Sequence, residues 1–184
     1  MAEDDRSFLN LVRRRCSVRA YADRPVAEEA LRRCLEAARL APSACNAQPW
    51  RFVVVDDPGL KDRVAAQAHG GVLPLNHFTR QAPVIVALVM EPANFTSRIG
   101  SAVKRKHFPL IDIGIAAEHF CLQAAEEGLG TCMLGWFKED GVRTLLKIPE
   151  SSRPVLLITL GHPARIPPSR KRKPIDAIVS RNRY

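Results

Sequence analysis

The stretch Ala41-Pro-Ser-Ala-Cys-Asn-Ala-Gln-Pro-Trp50 joins a predicted helix to a predicted strand. Before it, apolar residues recur at helical spacing over residues 26–38, and Pro42 ends that pattern. After it, residues 50–56 are rich in β-branched side chains, which is typical of a strand. The loop combines small residues with hydroxyl and carboxamide groups that can donate and accept hydrogen bonds. It is either an ordinary helix-to-strand connection or one side of a ligand site.

The flanking sequence predicts an alternation of helices and strands. Helices are predicted over residues 7–15, 58–68, 113–127 and 139–148, and strands over residues 83–90, 130–137 and 155–161. The alternation predicts a sheet with helices on both faces. Asp112 is expected to cap the 113–127 helix, and Gly128 to end it. Because that helix is apolar around nearly its whole circumference, it should be buried in a core or against a second subunit.

Three further segments have less regular patterns. Residues 69–82 are expected to form a loop with some helix, and residues 92–109 a mobile surface segment. A basic, proline-rich stretch over residues 163–174 precedes a short amphipathic end over residues 175–184.

A second motif, Arg15-Cys-Ser-Val-Arg19, places two guanidinium groups and a hydroxyl at alternate positions. If the segment is extended, Arg15, Ser17 and Arg19 point to the same side. Such a set suits a phosphate, which arginine can bind through two parallel hydrogen bonds. The alternative is a solvated basic turn after a helix. The basic run Arg170-Lys-Arg-Lys-Pro174 has two similar interpretations. It is either a solvent-facing segment or a second group of cations that binds the same phosphate.

Composition narrows the class of protein. With 184 residues and 46% apolar content, the chain is expected to form one domain over 1–184. Residues 165–184 contain seven Lys/Arg and one Asp, so this tail supplies +6 of the net charge of +9. No aromatic stacking pattern accompanies it, which disfavours a nucleic-acid-binding protein. The apolar run over residues 83–90 is too short for a membrane span, and the five scattered cysteines favour a reducing cytoplasm.

No catalytic dyad or metal motif is evident. The five histidines have no metal-ligand spacing, and no serine lies in a G-x-S-x-G motif. The stretch Gly128-Leu-Gly-Thr-Cys-Met-Leu-Gly-Trp-Phe137 lacks the glycine order of a dinucleotide fingerprint. It is either a core strand with glycine turns or a strand whose backbone a ligand can approach closely.

Taken in order, the motifs resemble the nitroreductase family of flavoproteins. The residues that carry the resemblance are Arg14-Arg-Cys-Ser-Val-Arg-Ala-Tyr21, Ala41-Pro-Ser with Asn46-Ala-Gln-Pro-Trp50, Asp112-Ile-Gly-Ile-Ala-Ala-Glu118, Gly128-Leu-Gly-Thr131, Leu134-Gly135 and Leu160-Gly-His-Pro163. Each motif is short, but their order covers nearly the whole chain.

The resemblance implies an α+β fold with a mixed central sheet, and an intertwined homodimer with FMN sites at the subunit interface. It implies an enzyme that uses NAD(P)H and FMN to reduce nitroaromatics, quinones or another small conjugated acceptor in a ping-pong hydride shuttle. A flavin-fragmenting enzyme, a reductive dehalogenase and a non-catalytic flavin-binding protein remain alternatives. Because the cofactor carries the chemistry, no catalytic side chain is expected.

The resemblance also implies three groups of site residues. The phosphate and ribityl chain would be held by Arg15, Ser17, Arg19, Arg170 and Arg172. The partner subunit's flavin would be reached by Pro42, Ser43 and Asn46. The isoalloxazine would lie along Met133, Leu134 and Gly135. Ala44 and Met133 depart from the family's common residues, and residues 92–109, where a substrate-covering lid would lie, match no family pattern.

Overall fold

The computed structural model describes residues 7–69, 76–92, 107–168 and 170–184. The α-helices in these ranges are α1 (Phe8–Arg14), α2 (Glu28–Arg39), α3 (Pro58–Gln67), α4 (Phe108–Glu126) and α5 (Glu139–Leu146). The strands are β1 (Trp50–Val55), β2 (Val84–Met90), β3 (Gly130–Leu134) and β4 (Arg153–Gly161). Short 3-10 turns occur at Ala44–Asn46, His77–Gln81 and Ile175–Ala177. The α+β class is therefore confirmed.

The four strands form one sheet in the order β1-β2-β4-β3, and every neighbouring pair is antiparallel. The expected mixed character is limited to one place. Within the described ranges, the only parallel pairing is an isolated bridge between Ser17 and Thr131, on the open side of β3. The N-terminal segment thus extends the sheet beyond its edge strand.

Helices cover both faces of the sheet, as the sequence predicted. Along β2, Val84, Val86 and Leu88 pack towards α2 and α4, whereas Ile85 and Ala87 pack towards α3 and α5. Successive side chains of a strand point to opposite faces. Because both faces are buried here, β2 is an uninterrupted apolar run instead of an alternating one.

The long helix α4 differs from the prediction at its start. It begins at Phe108, with Pro109 in its first turn and His107 at the N-cap. Asp112 is therefore not the cap but the fifth residue of the helix, and it is 4% exposed. The prediction failed because proline suits the first turn of a helix, so the apolar pattern continues through Pro109.

Only one side of α4 is covered within the single chain. Ile113, Ala117 and Phe120 are buried against the sheet and α2, while Leu110 and Ile111 are 43% and 54% exposed. The burial expected for the whole circumference is therefore incomplete in one copy of the protein.

Three other segments also differ from the sequence-based expectations. Strand β3 ends at Leu134, so residues 135–137 lie beyond it. Helix α5 ends at Leu146, because Lys147 adopts a left-handed conformation with φ of 53°. The expected amphipathic end over residues 175–184 is exposed and contains one 3-10 turn.

Two expected segments lie largely outside the description. Residues 93–106 of the expected lid and residues 70–75 of the expected 69–82 loop are not among the described residues. No helix in the described part of the chain is long and apolar enough to cross a lipid bilayer.

Candidate functional site

The Arg15–Arg19 motif is extended and pairs with β3. Arg15 has extended backbone angles, with φ of −61° and ψ of 120°. Ser17 forms the bridge to Thr131, and the backbone N–H of Val18 donates to the carbonyl of Thr131 at 2.8 Å. The extended conformation that the alternating pattern assumed is therefore confirmed. Its backbone is held by the sheet, which leaves alternate side chains available for other contacts.

Close packing explains why a glycine begins β3. Val18 is 2% exposed, and a Cβ atom added to Gly130 would lie 2.6 Å from Cγ2 of Val18. The hydroxyl of Tyr21 donates to the carbonyl of Val18 at 3.1 Å and lies 2.6 Å from Oγ1 of Thr159 on β4. Burial raises the pKa of Tyr21 and keeps the hydroxyl neutral.

A cationic cavity of about 870 Å³ lies beside this segment. It brings together four of the expected site residues, which are Arg15, Ser17, Arg170 and Arg172. The remaining lining residues in the described ranges are Val12, Arg13, Arg14, Cys16, Glu118, Ile166, Pro167 and Pro168. Five arginines thus face one carboxylate, which gives the cavity a strong positive potential suited to an anion.

Two carboxylates of α4 pair with arginines at the cavity. Nε of Arg15 lies 3.0 Å from Oε1 of Glu118, and Nη2 of Arg14 donates to Glu126 at 2.7 Å. Arg15 is the more enclosed of the two arginines, with a side chain 20% exposed. Because Glu118 contacts Nε, the two terminal nitrogens of Arg15 are the ones available to an anion. Sequence analysis assigned no role to Glu118, Arg13 or Arg14 in the site; the cluster Arg13-Arg14-Arg15 was the available signal.

Arg19 does not line the cavity. Its guanidinium carbon lies 5.9 Å from the ring centroid of Phe78, and its Nη1 donates weakly to the carbonyl of Ser17 at 3.4 Å. Arg19 nevertheless remains close to β3, since its charge acts on the thiol of Cys132.

Several of the expected site residues act on the thiol of Cys132 in β3. Burial raises its pKa, while the positive charges of Arg19, Arg170 and Arg15 and a hydrogen bond with Ser17 act in the opposite direction. Because burial dominates, the thiol stays protonated and is a poor nucleophile. Cys132 is therefore a packing residue. The positive charges that act on it come from two distant parts of the sequence, residues 15–19 and residue 170.

The end of β3 changes from buried to open within three residues. Met133 is half-buried, Leu134 is buried and Gly135 is exposed, and a Cβ atom added to Gly135 would meet nothing within 4 Å. The backbone at Gly135 can therefore be approached closely by a flat group. Trp136, which follows, is 72% exposed. Sequence analysis placed Trp136 within the strand, which ends two residues earlier.

The loop over residues 43–48 has an unusual backbone. Cys45, Asn46 and Gln48 have φ of 52°, 50° and 46°, in the left-handed region that favours glycine. Ser43 accepts from the backbone N–H of Gln48 at 2.9 Å through its Oγ. The backbone N–H of Ala44 lies 3.2 Å from each carboxylate oxygen of Asp112.

Helix α4 connects the two halves of the expected site. Asp112 contacts the 43–48 loop and Glu118 contacts Arg15. They are six positions apart on the helix, which is about 9 Å along the axis and about 120° around it. Pro42, Ser43 and Asn46 accordingly do not line the cavity that contains Arg15. The structure brings the cationic residues together and leaves the loop on another side of α4.

Neither a metal site nor a reactive buried thiol is found in the part of the chain that the structure covers. That part contains no group of three or more His, Cys, Asp or Glu side chains able to hold a metal ion. Burial raises the pKa of Cys121 and that of Cys34 to about 12 each, so both thiols are neutral.

Comparison with known proteins then establishes the family. A family model described as "Nitroreductase family" matches residues 12–162. The chain belongs to the nitroreductase family. It is accordingly an oxidoreductase, and the family resemblance of its motifs is confirmed.

Relatives of this nitroreductase-family protein cover most of its length. It is 31% identical over 166 residues to a putative NADH dehydrogenase/NAD(P)H nitroreductase of Methanothermobacter thermautotrophicus, covering 88% of this chain and 80% of the relative. It is 28% identical over 180 residues to an FMN reductase [NAD(P)H] of Bacillus subtilis, covering 91% and 70%. Among solved structures, an FMN-dependent nitroreductase from Clostridium difficile superposes with a TM-score of 0.79 at 25% identity, covering 96% and 99%.

Proposed function

We propose that this protein is an FMN-dependent oxidoreductase that takes reducing equivalents from NAD(P)H and passes them to a small conjugated acceptor. The observation that carries the proposal is the cavity in which Arg15 and Ser17 meet Arg170 and Arg172 beside β3. The names of the relatives, which include an FMN reductase and NAD(P)H nitroreductases, support the choice of cofactor and reductant. The whole chain, residues 1–184, is proposed to be one FMN-binding domain.

The residues present fit FMN at its phosphate end. The cavity volume of about 870 Å³ lies within the range of about 300–1,000 Å³ that small-molecule sites occupy. A phosphate carries two negative charges near neutral pH, and five arginines with a single carboxylate surround the cavity. Arg15 would bind the phosphate through its terminal nitrogens, Arg170 and Arg172 would add charge, and Ser17 would donate a hydroxyl.

The residues also fit a flat ring system beyond the phosphate. Arg19 lies farther along the same extended segment and would reach the ribityl chain. Met133 and Leu134 would lie along the isoalloxazine, with the open backbone of Gly135 allowing close approach. When bound, FMN supplies two-electron chemistry between a hydride donor and an acceptor. The protein's part is to bind and orient the ring and to hold positive charge beside it.

A homodimer is the second part of the proposal. Large apolar side chains are exposed on two helices that contact each other: Phe8 and Leu9 of α1 are 70% and 56% exposed, and Leu110 and Ile111 of α4 are 43% and 54% exposed. We take them as parts of one interaction surface, since large exposed apolar patches mark interaction sites on proteins. A second copy would cover it and bring Pro42, Ser43 and Asn46 to the flavin of the neighbouring subunit.

Nitroaromatics and quinones are the proposed acceptors, and the kinetic order is proposed to be ping-pong. One open face beside Gly135 would have to serve both the nicotinamide and the acceptor, so the first must leave before the second binds. A cytoplasmic location is also proposed, since all five cysteines are free thiols.

The test begins with the visible absorbance of the purified protein mixed with FMN and passed through a desalting column. Retained flavin, bleaching by NADH or NADPH without oxygen, and recovery on adding a nitroaromatic or quinone are the expected results. Initial rates against both substrates should give parallel double-reciprocal lines. A colourless protein with no flavin-dependent NAD(P)H oxidation would refute the proposal, and sedimentation as a monomer with bound FMN would refute the dimer.

A further inference from the structure

The 43–48 loop has a backbone that its own residues disfavour. Three non-glycine residues within four positions, Cys45, Asn46 and Gln48, have positive φ. Asparagine tolerates this conformation, but cysteine and glutamine adopt it rarely. Such a conformation persists only where surrounding contacts determine it, and it is most common at functional sites.

Several hydrogen bonds join residues of the loop to one another and not to the rest of the fold. The N–H of Asn46 donates to the carbonyl of Ser43 and that of Ala47 to the carbonyl of Ala44, each at 3.0 Å. The N–H of Gln48 donates to Oγ of Ser43, and its carboxamide donates to Asn46. All these partners belong to residues 43–48, so these bonds set the loop's shape and not its position.

Asp112 supplies the connection to the rest of the fold. Both of its carboxylate oxygens lie 3.2 Å from the N–H of Ala44. Among the residues that the structure describes, this is the only hydrogen bond that joins residues 43–48 to another part of the chain. Ala44 immediately precedes the left-handed Cys45, so the bond is made where the unusual conformation begins.

A buried carboxylate at this position needs a reason. Asp112 is 4% exposed, and its neighbours on the covered side of α4 are apolar, among them Ile113 and Ala116. Burying an ionised group is costly unless it is well paired. In the described structure, the carboxylate oxygens have the N–H of Ala44 as their hydrogen-bond partner. This pairing argues that the bond to the loop is what the carboxylate is for.

We propose that Asp112 is a positioning residue for the flavin. Its carboxylate holds the 43–48 loop so that Ser43 and Asn46 can contact the isoalloxazine. The inference rests on the proposed function, because it takes the loop to contact FMN. It separates two roles on one helix. Asp112 serves the ring, while the phosphate depends on Arg15 and the cationic cavity six residues farther along α4.

The test compares FMN with riboflavin, which has the same ring and no phosphate. Asp112→Ala should weaken the binding of both by about tenfold, the loss expected for a hydrogen bond to a charged group. The FMN-to-riboflavin affinity ratio should stay at the wild-type value. Asp112→Asn keeps an oxygen that can accept from Ala44, so it should bind both flavins within about threefold of wild type. Fluorescence titration of each flavin measures these constants.

Asp57 provides the matched control. Its carboxylate also accepts a backbone N–H, that of Leu60 at 2.7 Å, but it caps α3 on the other face of the sheet. Asp57→Ala should lower the melting temperature and leave both flavin affinities within about twofold of wild type. If Asp112→Ala does not fold, Ala44→Pro removes the same bond from the loop side, where the extended Ser43 suits a following proline.

The outcomes separate this inference from the proposed function. If wild-type protein binds neither flavin, the proposed function fails, and with it the basis of the inference. If wild type binds FMN but Asp112→Ala, or Ala44→Pro in its place, stays within twofold for both flavins, the positioning role is wrong. If Asp57→Ala lost as much flavin affinity as Asp112→Ala, the loss would reflect lower stability of the fold, and the inference would also be wrong.

Discussion

The extended segment at residues 15–21 and the loop at residues 43–48 form the two halves of the proposed site, and the fold holds them differently. The segment pairs with β3 and buries Val18, so the core sets its position. The loop is partly exposed, has a disfavoured backbone and is hydrogen-bonded to the rest of the described structure through Asp112. Pairing with the sheet can hold the residues proposed to bind the phosphate. A loop proposed to face a second subunit has no such pairing and needs a separate hydrogen bond to the core. The two halves can therefore be perturbed separately.

The largest effect is expected from Arg15→Ala, which removes the most enclosed cation of the cavity. FMN affinity should fall by about 10- to 100-fold, since a charge-assisted pair to phosphate is lost. Riboflavin affinity should change by less than about twofold, because the ring half is untouched. Arg39→Ala, which removes an exposed arginine of α2 paired with Glu36, is the control for net charge. A parallel loss of riboflavin binding would mean that Arg15 does not act through the phosphate.

Gly130→Ala tests whether the core positions the N-terminal segment. The new Cβ would lie 2.6 Å from Cγ2 of Val18, a branched side chain with little freedom to move. Overpacking of this kind costs about 1–3 kcal/mol, which should lower the melting temperature by about 2–12 °C. FMN affinity should fall with it, because the segment must shift from β3.

The companion variants for Gly130→Ala are a rescue and a control. Adding Val18→Gly should restore part of the lost FMN affinity, since it removes all three clashing atoms: Cγ2 at 2.6 Å, Cβ at 2.8 Å and Cγ1 at 3.0 Å. Gly59→Ala in α3 meets only ordinary contacts and should leave binding unchanged. A single Gly130→Ala variant with wild-type stability and binding would contradict the close packing of the segment against β3.

The sequence was most informative about the half of the site that the sheet holds. The interpretation of Arg15-Cys-Ser-Val-Arg19 as a phosphate site depended on an extended backbone, and the bridge at Ser17 shows that backbone. The apolar run of β2 likewise predicted a buried strand, because burial of both faces makes a strand apolar at successive positions instead of at alternate ones. The convergence of Arg170 and Arg172 with Arg15 depends on the tertiary fold, and the basic run alone left it open.

The loop half was harder to predict because its determinants are not local. No residue near position 44 indicates that the N–H of Ala44 donates to Asp112. Helix-capping rules wrongly predicted that Asp112 caps α4, whose N-cap is His107. Left-handed Cys45 and Gln48 run against residue preference, so no turn rule would place them. These are the positions where local preference and tertiary demand disagree, which is expected at a functional site.

Tyr21→Phe should have a smaller effect, confined to stability. It removes the hydroxyl that donates to Val18 and contacts Thr159, at a cost of about 1–2 kcal/mol. The melting temperature should fall by about 2–8 °C, while FMN affinity stays within about threefold because Ser17 still pairs with β3. Tyr184→Phe, at a fully exposed position, should change neither. A large loss of FMN affinity in Tyr21→Phe would show that the segment is held less firmly by the sheet than by this hydroxyl.

Glu127→Gln is expected to have the smallest effect, and it asks whether the loop depends on the whole α2–α4 contact or on Asp112 alone. Arg33 of α2 donates twice to Glu127 at 2.6 Å, at the end of α4 opposite Asp112, and this pair lowers the pKa of Glu127. A carboxylate with a lowered folded-state pKa stabilises the fold above its ordinary pKa near 4.5, and loses that contribution as pH falls through the lower value. The variant should therefore be slightly less stable than wild type at pH 7, and the difference should shrink as pH falls below 4.5. FMN affinity should not change, and a loss like that expected for Asp112→Ala would assign the loop's position to helix packing instead of its buried anchor.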